Sequence, residues 1–219
     1  MKCIIKVANL ALMLCSKSTL KEVLGTEKYR LFRKKTTYYK KKYYPEIPEI
    51  GKTVFDTSYY FASCYFFYFP ALKDLGYSAK EAGTIIWKIN ESFLRKIPRL
   101  FLAFTGNFYV SRSKKMGIWA TEQAKRNNLH PYDWRIEYKE ISKQKWSIDI
   151  MECYVIKMAK RFNQMDMFPY ICRMDYLFSH YFKQGFERTK TLGDGNDCCN
   201  CQWEIPGKCD WPVTDPKLK

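Results

Sequence analysis

Three cysteines stand within four residues in the stretch GDGNDCCNC, residues 193–201. Thiolates attack electrophilic carbons and bind zinc, so the cluster predicts either covalent chemistry or a metal site. On a β-strand, however, Cys199 and Cys201 face one side, while Cys198 and Asn200 face the other. The spacing also lacks the C-x-x-C pattern of zinc knuckles and redox pairs. A site built here therefore needs cysteines from elsewhere in the chain.

Two further cysteines stand where the sequence predicts the start of a helix. Cys153 follows a predicted strand, and Cys172 opens the segment CRMDYLFSHYFK. Unpaired N–H groups and the positive end of the helix dipole lower the pKa of a thiol at such a position. We therefore predict thiolates, suited to attack an electrophile or to bind a metal. The other interpretation is that both are small buried side chains that fill core space.

Charged side chains lie near Cys172 in the sequence. Asp175 comes one turn later, and Arg173 and Arg188 add positive charge. His180 lies in the apolar stretch YLFSHYF, which predicts a core residue. A catalytic Cys–His pair therefore has little support.

The first third of the chain predicts basic helical structure followed by a buried helix. Residues 4–42 are helical in pattern and end in a rigid linker that contains Pro45, Pro48 and Gly51. Residues 57–72 are nearly all aromatic or small, which predicts a central helix buried on all sides.

A well-marked helix follows. Ser78 and Glu81 form a capping box, apolar residues recur at 3.6-residue spacing, and Pro98 ends the pattern. Asn90 and Glu91 lie at the flank of its apolar face and are candidate binding residues. A mixed stretch without a clear period comes next.

The C-terminal half changes period. DWRIEYKEI and KWSIDIMEC alternate polar and apolar residues around SKQ, which predicts a hairpin. Residues 153–163 and 172–183 predict two helices, and two more strands follow, joined by a turn at 193–196. The order ββααββ predicts an α+β fold, with N-terminal helices packed on a C-terminal antiparallel sheet of about four strands.

Composition limits the classes of protein. With 219 residues, 47% hydrophobic and 17% aromatic, the chain can bury a sizeable core and is not disordered throughout. We predict a basic helical segment with a proline linker at 1–50, one α+β catalytic or ligand-binding domain at 51–205, and a flexible tail at 206–219. The net charge of +16 suits nucleic acid, a membrane surface or an anionic substrate.

Cysteine usage and apolar runs bear on location. No stretch reaches the ~20 apolar residues that span a bilayer. Nine cysteines, an odd number, without a recognisable signal peptide predict free thiols in a cytoplasmic protein.

The motifs resemble one known family. The segments ECYVIKMAKRFN, CRMDY, ERTKTLG and GDGNDCCNC, together with YYPEIPEIGK upstream, are similar to the L-2-amino-thiazoline-4-carboxylic acid hydrolase family. The likeness runs from about residue 25 to 205. This chain has Asn200 where the family pattern has an acidic residue and Cys201 where it has an aromatic one. The residues that fall on the pattern are Cys153, Cys172, Asp175, Arg188, Thr189, Thr191, Gly195 and Cys199.

The resemblance implies hydrolysis of a cyclic isothiourea to N-carbamoyl-L-cysteine. Water or a protein nucleophile adds to C2 of the ring, and the tetrahedral centre expels the ring thiolate. Such a site needs a base or nucleophile, a carboxylate to hold the protonated amidine, and a cation for the substrate carboxylate. We assign Cys172 or Cys199 as nucleophile, Asp175 as base and amidinium partner, and Arg188 as carboxylate clamp. The other predicted substrate-binding residues are Thr189, Arg173, Cys153, Asn90 and Glu91.

Two other functions stay open. The ββααββ arrangement is also similar to 4-vinyl-reductase-type ligand-binding domains, in which Cys153, Cys172 and Cys199 would hold a structural zinc and catalyse nothing. The basic N-terminal half could instead bind nucleic acid. Under the hydrolase hypothesis we expect a small anionic substrate, no cofactor, and neither nucleic acid nor a membrane as partner.

Overall fold

The computed structural model describes residues 2–209, with the side chains of all of these except 99, 100 and 103–107. Helices occupy most of the first 125 residues, and a four-stranded antiparallel sheet with three short helices follows, which confirms the predicted α+β class. The helices are α1 (Lys2–Cys15), α2 (Lys17–Tyr43), α3 (Asp56–Lys73), α4 (Ala79–Lys96), α5 (Arg99–Lys125), α6 (Tyr154–Arg161), α7 (Phe168–Cys172) and α8 (Met174–Tyr181). The strands are β1 (Arg135–Glu140), β2 (Lys145–Glu152), β3 (Gly185–Glu187) and β4 (Cys199–Glu204).

Contacts divide the chain into two compact units. The first takes residues up to 49, 56–96 and 157–171, and the second takes 50–55, 97–156 and the chain from 172 onward. The domain boundaries predicted at residues 50 and 205 stay a prediction. Most of the predicted tail, 210–219, lies outside the described residues.

The first unit is built around α3, the helix predicted to be buried. Most of its side chains are buried, and its tyrosines hydrogen bond to neighbouring segments: Tyr59 to the carbonyl of Pro48 at 2.6 Å, and Tyr68 to Asn9 Oδ1 at 2.9 Å. These bonds satisfy phenol groups that would otherwise be costly to bury. An all-round apolar helix therefore forms the core of this unit.

The capping box at the start of α4 forms as predicted. The backbone N–H of Ser78 donates to Glu81 Oε2 at 2.8 Å, and the N–H of Glu81 donates to Ser78 Oγ at 3.3 Å. Two N–H groups that lack partners in the first helical turn are satisfied in this way.

The sheet of the second unit has the strand order β1-β2-β4-β3. Its strands alternate buried and accessible residues, so one face is apolar and the other is polar. On the buried face each residue of β2 lies opposite one of β4, and the pairs are Trp146 with Trp203, Ile148 with Cys201, and Ile150 with Cys199. The predicted orientation of Cys199 and Cys201 is therefore confirmed.

Helix α5 was not predicted, because its sequence has no clear apolar period. It lies against β1, where Gly117 leaves room for the ring of Tyr138 and Thr121 Oγ1 accepts the backbone N–H of Tyr138 at 2.9 Å. A Cβ at Gly117 would stand 2.4 Å from Tyr138 Cδ2 and 2.6 Å from its Cγ. The close approach of helix and strand therefore depends on this glycine.

Among residues 2–209, no single helix has the length and apolar character needed to cross a bilayer. The segments Lys2–Cys15 and Lys17–Glu46 pass that test only as a pair, bent by 73° at their junction.

We expect Gly117→Ala to destabilise the protein by about 1–3 kcal/mol, because the added methyl group overlaps the Tyr138 ring. Alanine improves helix propensity by about 1 kcal/mol, so the measured sign tests the packing directly. Urea denaturation gives the free energy of unfolding. Lys115→Ala, an exposed change in the same helix, is the control and should stay within about 0.5 kcal/mol. A Gly117→Ala protein as stable as the parent would contradict the close packing.

Candidate functional site

The second unit contains a buried arginine, Arg188, at the end of β3. Only 2% of its side-chain surface is accessible. Its Nη1 donates to Asp175 Oδ2 at 3.0 Å and its Nη2 to the carbonyl of Cys172 at 3.2 Å. The rings of Tyr176 and Phe186 lie 5.6 and 5.5 Å from the guanidinium carbon, within range of cation–π attraction. A buried charge is thus paired, hydrogen bonded and packed between aromatic rings.

Three sulfur atoms lie around this arginine. Cys172 interacts with the side chain of Cys199, and Cys199 Sγ accepts the backbone N–H of Leu192 at 3.2 Å. Cys201 interacts electrostatically with Arg188. The structure therefore brings together two cysteines predicted from different segments, and adds Cys201.

Accessibility separates the members of this cluster. Cys199 and Cys201 are buried, whereas Cys172 is half-buried. Cys153, at the start of α6, is also half-buried and interacts electrostatically with Cys172 and Asp175. Asp175 keeps 42% of its side-chain surface accessible. The accessible side chains of this region are therefore those of Asp175, Cys172 and Cys153.

The thiols are less acidic than the sequence indicated. Burial raises the pKa of Cys153 to about 12, even though the backbone N–H groups of Val155 and Ile156 donate to its sulfur at the start of α6. Cys172 is the last residue of α7 and not the first of a helix. Its hydrogen bond with Cys199, together with burial, raises its pKa well above the ordinary range. The predicted thiolates are therefore wrong, because desolvation outweighs the helix dipole.

The two charged groups respond in opposite ways to the same surroundings. Burial raises the pKa of Asp175, and Arg188 opposes part of that rise. Burial alone would lower the pKa of Arg188, but the nearby Cys172, Asp175 and Cys201 raise it above its ordinary value. The arginine stays charged, while the carboxyl group becomes a better proton acceptor than an exposed aspartate.

Thr189 lies on the polar side of the sheet, away from the thiols. Its backbone N–H donates to Asn200 Oδ1 at 3.0 Å, and its hydroxyl accepts from Asn200 Nδ2 at 2.8 Å. The N–H of Lys190 donates to the same Asn200 oxygen at 2.7 Å. A groove of about 270 Å³ opens on this face, lined by Ser147, Asp149, Glu187, Arg188, Thr189, Asn200 and Gln202. Asn200 therefore holds the segment after β3 by hydrogen bonds, and it lies on the opposite face of the sheet from Cys199 and Cys201.

Two further residues of the family pattern shape the loop before β4. Thr191 accepts the backbone N–H of Asp194 at 3.1 Å, and Gly195 has φ +82°, a conformation that favours glycine. These contacts bring the chain back to Cys199.

The remaining predicted residues lie elsewhere. Arg173 is buried between α7 and α8. Asn90 belongs to the first unit, where its Oδ1 accepts from Tyr65 at 2.6 Å and its Nδ2 donates to Ile86 at 2.8 Å. Glu91 pairs with Arg95 at 2.7 Å along the same helix. Contact of these residues with a substrate stays a prediction.

His180 is exposed in the last turn of α8, so its predicted place in the core is wrong. In the described part of the chain, no group of three or more His, Cys, Asp or Glu side chains is arranged to hold a metal ion. The predicted zinc ligands Cys153, Cys172 and Cys199 therefore do not form such a group among the described residues.

Sequence reasoning missed Tyr176 and Phe186. Both stand at positions where a helix or strand pattern predicts only core packing, and nothing in their spacing indicates a charged partner. Cys201 was placed on the correct face, but its contact with Arg188 could not be predicted, because it depends on how β3 and β4 pair.

Fold and site together define an α+β protein with a buried arginine, a partly accessible aspartate and neutral thiols in one cluster. Residues 61–203 match the model of the L-2-amino-thiazoline-4-carboxylic acid hydrolase family. The chain belongs to this family, as the motifs indicated, and membership supports a hydrolase role. No curated protein and no solved structure matched the chain.

The raised pKa of Cys153 makes its alkylation by iodoacetamide a direct test. Because only the thiolate reacts, we expect Cys153 to be labelled at pH 8 at least about a hundredfold more slowly than the exposed Cys3. Its rate should climb as pH rises toward 12. Stability should fall over the range from 9 to 12, since the unfolded thiol loses its proton first. Mass spectrometry of peptides follows each site. Equal labelling rates at pH 8 would contradict the raised pKa of Cys153 and support the thiolate predicted from sequence.

Proposed function

We propose that the protein hydrolyses a small cyclic amidine or isothiourea, such as 2-amino-thiazoline-4-carboxylate, to N-carbamoyl-L-cysteine. The observation that carries this proposal is the contact of a partly accessible Asp175 with the buried Arg188, next to the thiols of Cys172 and Cys199. The family match covers all four of these residues. The substrate itself is inferred from the family's name and from this chemistry.

Asp175 is the residue best suited to act as base. It is the accessible charged group of the cluster, and its raised pKa brings proton transfer closer to neutral pH. A carboxylate also pairs with a protonated amidine in bidentate geometry. The same side chain can therefore orient the ring and accept a proton from water.

Arg188 acts as a positioning residue under this proposal and not as the substrate clamp inferred from sequence. Its Nη groups are engaged by Asp175 and by the carbonyl of Cys172, and its side chain is almost inaccessible. Arg188 therefore holds both the carboxylate of Asp175 and the C-terminal end of α7. The rings of Tyr176 and Phe186, which meet edge to face, lie against the guanidinium and hold it in place.

The proposed reaction uses one water molecule. Water attacks C2 of the ring, Asp175 takes one of its protons, and a tetrahedral centre forms. The C2–S bond then breaks, and the ring sulfur leaves with the proton returned from Asp175. As the carbonyl forms, the hydroxyl proton of the tetrahedral centre passes to solvent, which balances the proton that the protonated amidine brought in. The product carries a carbonyl oxygen from water and a free thiol. Cys172, a neutral thiol, can donate a hydrogen bond to the departing ring sulfur. Its interaction with Cys199 holds it in place.

Asp175→Asn should lower the rate of thiol release from 2-amino-thiazoline-4-carboxylate by about a hundredfold or more, because the amide cannot accept the proton. A chromogenic thiol reagent measures the product. Asp197→Asn, a change at an 81% exposed side chain of the same unit, is the control and should keep the parent rate. Thermal melting checks folding, since the change leaves Arg188 without its ion pair. If the Asp175→Asn protein does not fold, the test uses Asp175→Glu, which keeps the negative charge but shifts the carboxylate. A rate unchanged in the folded variant would remove Asp175 from the mechanism.

Cys172→Ser separates attack by water from attack by a thiol. If water attacks, serine keeps a hydrogen-bond donor and the rate should fall by no more than about tenfold. If Cys172 is the nucleophile, the loss should reach several orders of magnitude, and intact mass should reveal a covalent adduct during turnover. Cys198→Ser, outside the cluster, is the matched control. A covalent adduct on Cys172 would replace water attack with thiol attack.

A further inference from the structure

Helix α1 exposes a row of large apolar side chains. Ile4, Val7, Leu10 and Leu14 are 46%, 64%, 58% and 62% exposed. At 3.6 residues per turn these four positions fall within about 120° of the helix circumference. We call these four residues the α1 stripe. Contiguous apolar surface of this kind marks an interaction site on a folded protein.

The stripe cannot turn inward, because the opposite face of α1 is already packed. Ile5, Ala8 and Leu12 are buried in the first unit. Asn9 accepts a hydrogen bond from Tyr68 at 2.9 Å, which pins the helix to α3. Helix α1 is therefore apolar on two faces, one buried in the unit and one directed to solvent.

Positive charge surrounds the stripe in the sequence. Residues 1–50 contain 12 Lys and Arg against four Asp and Glu, so this segment carries half of the net charge of +16. Several of these cations are exposed on α1 and α2, among them Lys6, Lys17, Lys21, Arg33 and Lys34. An apolar helix face within a strongly basic, exposed segment is the pattern of helices that lie in a membrane interface.

We propose that the α1 stripe binds the surface of an anionic lipid membrane, with α1 lying in the plane of the interface. The stripe would enter the boundary between headgroups and acyl chains, and the basic side chains would face the anionic headgroups. A helix of 14 residues is too short to span a bilayer, but one that lies flat has no such length requirement. The sequence-based expectation of no membrane partner rested on that length.

Charge and chemistry favour lipid over the other occupants. Nucleic acid would neutralise the lysines and leave four aliphatic side chains in water. A second copy would cover the stripe but bring two strongly basic segments together, which is unfavourable. Anionic lipid supplies both an apolar phase and negative charge.

The test is co-sedimentation of the full chain with vesicles of phosphatidylcholine alone, and of phosphatidylcholine mixed roughly 7:3 with phosphatidylserine. We expect binding to the anionic vesicles, weaker binding as salt rises, and little binding to the neutral ones. The double variant Val7→Glu, Leu10→Glu should lower partitioning at least about tenfold, because two inserted apolar side chains are replaced by anions. Ile141→Glu, at a 50% exposed site in the second unit, is the matched control.

Each outcome decides the proposal. Far-UV circular dichroism checks that the double variant folds, and Leu14→Gln offers a milder change at the same stripe. Absence of binding to anionic vesicles overturns the proposal, and so does binding that the stripe variants leave intact. Light scattering that reveals a dimer abolished by the double variant assigns the stripe to a second copy. Hydrolase activity plays no part in this readout.

Discussion

The second unit depends on one buried positive charge, that of Arg188. A guanidinium removed from water is costly unless acceptors and polarisable groups replace its hydration. Here one carboxylate, one backbone carbonyl and two aromatic rings do so. Asp175 and Tyr176 come from α8, the carbonyl of Cys172 from the end of α7, and Phe186 from β3. Satisfying the charge therefore fixes these three elements relative to one another. The orientation of Asp175 follows from this pairing, and with it any chemistry that the carboxylate performs.

The sheet separates the face that carries Cys199 and Cys201 from the face that carries Asn200. Alternation along β4 turns Cys199 and Cys201 toward the arginine and turns Asn200 toward the opposite side. The side-chain amide of Asn200 hydrogen bonds to Thr189 and Lys190 and so holds the segment that follows Arg188. An aspartate could accept the same two N–H bonds. The difference from the family pattern at position 200 therefore alters a residue that holds the loop after β3, not one that contacts Cys199 or Cys201.

Burial decides the protonation states in the cluster. The N–H groups at the start of α6 do donate to Cys153, as its position indicates, yet the loss of water favours the neutral thiol more strongly. The same loss of water raises the pKa of Asp175 while Arg188 limits the rise. A carboxylate tuned in this way next to neutral thiols favours acid–base chemistry with water over attack by sulfur.

Local pattern in the sequence determined the α+β class, the capping box at Ser78, the buried helix α3 and the faces of β4, because each depends on periods of 2 or 3.6 residues. Motif order also identified the family and most of the cluster. Other features required the tertiary structure. Helix α5 has no clear apolar period, and its close approach to β1 depends on the missing side chain of Gly117. The pKa of a thiol depends on how much protein surrounds it, and the partners of Arg188 come from α7, α8 and β4. These are properties of distant residues brought together, which no local spacing encodes.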